Sequence, residues 1–268
     1  MPYSNIAESL LEMHYFRALL RHYRHTLGHT IQFFNPATAA EHWYGFDEAF
    51  FVADIPRSHA IQDLRAYIHS GALPTFTVFR AFLLQFKVVE MVRRRSANSP
   101  PDWLAPYYRS ELSLFPNKTT RISQHETLRR LTALSGASVA YVCPMIFEES
   151  DVLARPDLAD LRFVDVASSP DGWLTTQPHF IAFQNLESLP TWFSQPVSGK
   201  ALSMDEIIRR AKPMNANDLL FLLDKIRKTL SYAGGGEFEP PLISSQGSNV
   251  FPASLSIVAG LPYEPNQA

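Results

Sequence analysis

The stretches GFDEAFF (residues 45 to 51) and LLQFKV (residues 83 to 88) decide how this chain is read. Each is a short apolar or aromatic run with charged or amide residues inside it: Asp47 and Glu48 in the first, Gln85 and Lys87 in the second. Burying such groups without partners costs several kcal/mol, so the positions need partners or a purpose. The longer run FRAFLLQFKVVEMV (79 to 92) is apolar on both faces and predicts one interior strand. Alternation puts Gln85 and Lys87 on one face of it and Leu84, Phe86 and Val88 on the other.

The flanking segments predict an α/β layer. Residues 8 to 25 are an amphipathic helix, with Tyr15, Phe16, Leu19, Leu20 and Tyr23 on one face and His14, Arg17, Arg21, Arg24 and His25 on another. Asn35 and Pro36 open a short helix that carries Glu41, and Gly45 leads into a strand at 46 to 53. Residues 57 to 71 form a further helix, and 96 to 120 a proline-rich excursion. Ser123 and Glu126 make a capping box for a helix that turns Gln124, Leu128 and Leu131 inward. The strand SVAYVCP follows. The order helix, strand, strand, strand, helix, strand calls for a mixed central sheet flanked by helices.

Three segments result: an N-terminal helix (1–30), a core (31–150) and a mainly helical C-terminal extension (151–268) with a flexible tail. Helices are expected at MDEIIRRAK and NANDLLFLLDKIRKTL, and a linker at AGGGEFEPP.

Composition narrows the function class. An apolar fraction of 46% and a charged fraction of 19% are those of a soluble globular protein. The single cysteine, Cys143, excludes an internal disulfide framework and reads as a buried structural thiol. There is no signal-peptide core and no run long enough to span a bilayer, so a cytoplasmic address without membrane contact is expected. A net charge of −2 leaves phosphate binding to local clusters.

Glu41, GFD at 45 to 47, QFK at 85 to 87, and QHETLRRL from 124 followed by VAYVCP resemble the PD-(D/E)xK, restriction-endonuclease-like nuclease superfamily. The branch is the one in which GxD precedes QxK, as in methyl-directed restriction enzymes. The resemblance covers about residues 30 to 147, and Gln85 stands where the commoner form has a carboxylate. It implies a metal-dependent nuclease acting on DNA, with Mg²⁺ or Mn²⁺ as cofactor, within a prokaryotic defence system. The implied catalytic set is Asp47, Gln85, Lys87, Glu41 and Gln124. The implied metal ligands are Asp47, the Gln85 side chain, the Phe86 carbonyl and, through water, Glu41. Lys87 would orient the nucleophile and offset charge on the phosphorane, and Gln124 would support the site.

Weaker signals add candidate phosphate contacts at Arg93, Arg94, Arg95 and His125. His22, His25 and His29 lie close in sequence without a carboxylate and read as surface histidines. Thirty-seven residues lie between Asp47 and Gln85, so a helical insertion must separate their strands. A second function class remains open: a non-catalytic binding or regulatory subunit, with Trp43, Tyr44, Trp103, Tyr107 and Tyr108 as an aromatic protein interface. The C-terminal extension would bind a protein partner or a second copy of the chain.

Overall fold

The computed structural model describes residues 6–27, 31–34, 49–52, 78–96, 99–114, 122–133, 136–173, 178–194, 196–214, 218, 221–222, 225 and 256–260. The expected helices at 36 to 44 and 57 to 71, the glycine-rich linker and the tail beyond residue 260 lie outside them. So do most of the expected helix at 215 to 230, Glu41 and the GFD element.

Elements stand near several of the expected positions, with more strands between the first helix and the Gln124 helix than expected. Helix α1 (Glu8–Leu27) is followed by the antiparallel hairpin β1 (Ile31–Phe34) and β2 (Ala49–Val52) and by the long strand β3 (Val78–Phe86). Helix α2 (Gln124–Thr132) and strand β6 (Ala137–Pro144) come later, and β6 runs parallel to β3 with Gln85 opposite Tyr141. Between them lie β4 (Glu90–Val92) and β5 (Tyr107–Leu112).

The run 79 to 92 is therefore two strands rather than one, and they belong to different sheets. Lys87 N–H still donates to Val142 O at 2.8 Å, one residue past the end of β3. One residue further on, the Val88 carbonyl accepts from the Ser110 hydroxyl of β5. The chain changes sheets where those backbone groups change partners. The proline-rich excursion likewise contains a regular strand, β5.

The C-terminal extension is expected to be mainly helical; its described residues also form strands. They include β7 (Leu161–Asp165), β8 (His179–Phe183), β9 (Thr191–Phe193), β10 (Val197–Ser198), β11 (Ala201–Leu202) and β12 (Ser256–Gly260). Helix α3 (Glu149–Val152) and helix α4 (Met204–Arg210) accompany them. The first sheet has the order β11-β7-β6-β3-β12, the second β10-β9-β8-β5-β4. β8, HFIAF, is buried at all five positions between turn-forming segments, the signature of a strand covered on both faces.

Two layers cover the first sheet. On one face, Tyr15, Leu19 and Tyr23 of α1 and Ile207, Ile208 and Ala211 around α4 pack with Phe82, Leu84, Phe86, Ala140 and Val142. Tyr23 and Phe82 stack with ring centroids 4.8 Å apart. Alternation turns Gln85 and Tyr141 to the other face, where α2 lies. Ser123 caps α2 by accepting from Glu126 N–H at 3.1 Å, while the Glu126 carboxylate accepts from Arg130 one turn on. A capping box with both halves formed belongs to α4, between Ser203 and Glu206.

Arg80 of β3 ties that helix down. Its guanidinium donates to the carbonyls of Ala211 and, at 3.4 Å, Ile208, which end α4. Desolvation lowers its pKa from the ordinary value. Arg80→Met is expected to destabilise the fold by roughly 1.5–3 kcal/mol, the worth of hydrogen bonds to a charged group. Urea unfolding would register the loss; an unchanged midpoint would show that the end of α4 is held by packing alone.

Candidate active site

Of the described residues of the sequence-derived site, Gln85 meets Gln124, while Lys87 pairs with a residue of α1. Gln85 is fully buried and Lys87 is 6% exposed. Gln124, at the first turn of α2, donates from Nε2 to Gln85 Oε1 at 2.7 Å. Gln85 Nε2 donates in turn to the Phe86 carbonyl at 3.1 Å. Lys87 Nζ lies 3.2 Å and 3.5 Å from the two carboxylate oxygens of Glu8. The polar positions that the sequence makes conspicuous thus have partners contributed by two different helices.

Glu8 is the residue that sequence reasoning missed. It is the first residue of α1 and stands seven and eleven positions before Tyr15 and Leu19, in line with the core stripe. Glu12, one turn further along that stripe, is 6% exposed. Carboxylates on the apolar side of an amphipathic helix were the available signal, because such a side tolerates them only with partners.

Other expectations change. His125, a candidate phosphate contact, is only 4% exposed. Its Nδ1 pairs with the Tyr141 hydroxyl at 2.9 Å, and its ring lies among Tyr141, Trp173 and Trp192. Burial lowers its pKa to about 3, with Arg129 and His179 adding to the shift, so the ring is neutral and enclosed rather than a phosphate ligand. Tyr107, a candidate interface residue, is fully buried and donates its hydroxyl to Ser99 Oγ at 3.0 Å. Tyr108 stacks on Phe147 at 4.9 Å, and Trp103 meets Tyr107 edge-on at 5.9 Å. Arg93, Arg94 and Arg95 are exposed, though Arg95 is tied to its own loop through the Pro100 and Pro101 carbonyls. Glu90, beside the motif, pairs with Arg109. Cys143 is buried and free, and burial pushes its thiol up to about 12, as suits a structural residue.

Asp47, Gly45, Phe46, Glu41, Trp43, Tyr44 and His29 lie outside the described residues. Among the described residues no three His, Cys, Asp or Glu side chains are grouped to hold a metal ion. The candidate ligand atoms at Gln85 are oxygens: its own amide oxygen and the Phe86 carbonyl. That chemistry suits a hard divalent cation, with Asp47 needed to complete the set. Both neutral oxygens, however, already accept a hydrogen bond from an amide N–H. Among the described residues, no helix is long and apolar enough to cross a membrane. No protein-family model, no characterised protein and no solved structure matches the chain.

Proposed function

We propose that the chain is a metal-dependent nuclease that hydrolyses phosphodiester bonds of DNA, built on a restriction-endonuclease-like core. The observation that carries this reading is the buried Gln85–Gln124 amide pair near the end of β3, with Lys87, two residues on, paired to Glu8. Helix α2 leading into β6, and β6 lying parallel beside β3, support the same core.

In this reading Asp47, the Gln85 amide oxygen and the Phe86 carbonyl hold Mg²⁺ or Mn²⁺, with Glu41 contributing through water. The ion, when bound, polarises a phosphoryl oxygen and lowers the pKa of the attacking water. Lys87 supplies a nearly desolvated ammonium beside the reacting phosphate, where a fixed positive charge acts most strongly on developing negative charge. Glu8 aims that ammonium. Gln124 fixes the Gln85 amide. Arg93 and Arg94, exposed just beyond β4, are the remaining candidate phosphate contacts.

A second reading has an observation of its own. Gln85 and Lys87 are buried and internally paired, as in a structural polar network of a non-catalytic binding subunit.

Incubation with plasmid, single-stranded DNA and RNA under Mg²⁺ or Mn²⁺ separates the two. Wild type is expected to cleave DNA, and Asp47→Ala to lose at least about 100-fold, as for removal of one strong electrostatic contact in an active site. If wild type cuts none of these substrates, the binding subunit is the better description.

A further inference from the structure

Helix α1 presents an outer face whose charge has no counterpart in the fold. At ~100° per residue, Leu10, Met13, Arg17, Arg21 and Arg24 fall within an arc of roughly 80°, opposite the buried stripe of Leu11, Tyr15, Leu19 and Tyr23. All five are exposed. The carboxylates that face α1 in the described structure meet its other sides. Glu8 and Glu12 stand in line with the buried stripe, Asp151, Asp157 and Asp160 act on the Tyr15 hydroxyl, and Asp205 acts on His22. Those positions of α1 lie roughly 140° or more around the axis from the centre of the outer face.

The arginines of the other described helices are paired. Arg129 meets Asp171, Arg130 meets Glu126, Arg209 meets Glu206 and Arg210 meets Asp165. Arg17, Arg21 and Arg24 have no ion pair among the described residues. Arg21 instead has a like charge one turn away on either side, a spacing that destabilises a helix. The helix dipole accounts for Arg24, in the last turn. It does not account for Arg17 and Arg21.

Three guanidiniums over about 10 Å of helix, each with donors in a flat fork, suit a row of phosphates rather than one small anion. An anionic bilayer is the competing polyanion. A helix lying in a membrane surface needs its apolar face for the lipid, and that of α1 is closed against β3 and β6. On the outer face only Leu10 and Met13 are apolar.

We propose that the outer face of α1, through Arg17, Arg21 and Arg24, grips the phosphate backbone of DNA. The choice of DNA rests on the nuclease reading; the grip itself needs neither a metal nor cleavage. Backbone contacts carry no sequence information, so the grip serves any duplex alike. It adds to Arg93 and Arg94 a second anchoring surface on a different element.

The test is fluorescence anisotropy of the full chain with two labelled DNA duplexes of unrelated sequence, in chelator, between about 50 and about 200 mM salt. Two triple variants are compared with wild type. One carries Arg17→Gln, Arg21→Gln and Arg24→Gln. The other carries Arg155→Gln, Lys200→Gln and Lys212→Gln, exposed cations on three separate loops. Both lose the same charge, so an effect of net charge alone weakens both equally. The α1 variant is expected to bind both duplexes at least about tenfold more weakly, with the slope of log K against log salt shallower by roughly 2 to 3. The loop variant should stay within about threefold of wild type, because charges beyond a screening length of ~10 Å are largely masked.

Equal losses in the two variants, or no loss in the α1 variant, overturn the grip and leave the nuclease reading to its own cleavage assay. Wild type that binds neither duplex overturns it as well. Wild type that binds mixed phosphatidylserine–phosphatidylcholine vesicles instead of DNA assigns the face to a membrane. Glutamine is a good helix former and the three sites are exposed, so the α1 variant should match wild type in far-UV circular dichroism and urea midpoint. If it does not, the single variants Arg17→Gln and Arg21→Gln carry the test, each flattening the salt slope by roughly 1.

Discussion

Lys87→Met is expected to slow DNA cleavage by roughly 10²- to 10³-fold, the loss typical when one preorganised donor is removed from a reacting centre. Its effect on stability should be small. The carboxylate it leaves behind, Glu8, keeps 41% of its side chain in solvent and can hydrate. Breaking the same pair from the other side is different. Glu8→Gln leaves the ammonium of a lysine whose side chain is only 7% exposed without its counter-charge, and stranding a buried charge costs roughly 3–5 kcal/mol. The double variant Lys87→Met with Glu8→Gln should recover most of that stability, because no charge is left to strand. It should not recover cleavage.

Urea unfolding and plasmid cleavage on the three variants therefore give two patterns that do not track each other. A purely structural ion pair predicts that any activity follows stability, with the double variant restored in both. Undiminished cleavage by Lys87→Met would remove the lysine from the chemistry.

The parts of this arrangement that were legible in the sequence are those fixed by local rules. The apolar stripe of α1, the Ser123 cap and the inward face of α2 follow from periodicity and capping. Strand alternation and that inward face together placed Gln85 and Gln124 towards one another, and they meet at 2.7 Å. What stayed hidden depends on distant partners. Nothing in the apolar run around Val88 encodes a change of sheet; the Ser110 hydroxyl, 22 residues away, captures that carbonyl. Lys87 finds Glu8 across 79 residues of chain.

The C-terminal strands were missed for a related reason. β7 and β8 are short, buried on almost every side, and carry neither the alternation of a half-exposed strand nor the length of a helix. Tyr107 and His125 show the same limit among aromatic residues. Each has the sequence setting of a loop or helix start; His125 is enclosed among the Tyr141, Trp173 and Trp192 rings, and Tyr107 is buried beside Trp103 with its hydroxyl on Ser99.

His125 makes that enclosure measurable through acid. Its ordinary pKa of 6.5 falls to about 3 in the folded chain, first through desolvation and then through the nearby charges of Arg129 and His179. The unfolded chain therefore binds a proton at a pH where the folded chain does not. Stability from this residue is fully present above about pH 6.5 and is lost as pH falls towards 3. Linkage puts the loss at about 2 kcal/mol by pH 5 and about 3 kcal/mol by pH 4. His125→Gln keeps a side chain able to hydrogen-bond the Tyr141 hydroxyl and removes the titration. Urea unfolding of wild type and variant at pH 7, 6, 5 and 4 should give curves that diverge steadily as acid is added, the wild type falling faster. Carboxylates and the partly buried His22 titrate in both proteins and cancel in the difference. Parallel curves would mean that the imidazole is charged or solvated inside the fold. The aromatic layer between α2, β6 and β9 would then not be closed around it.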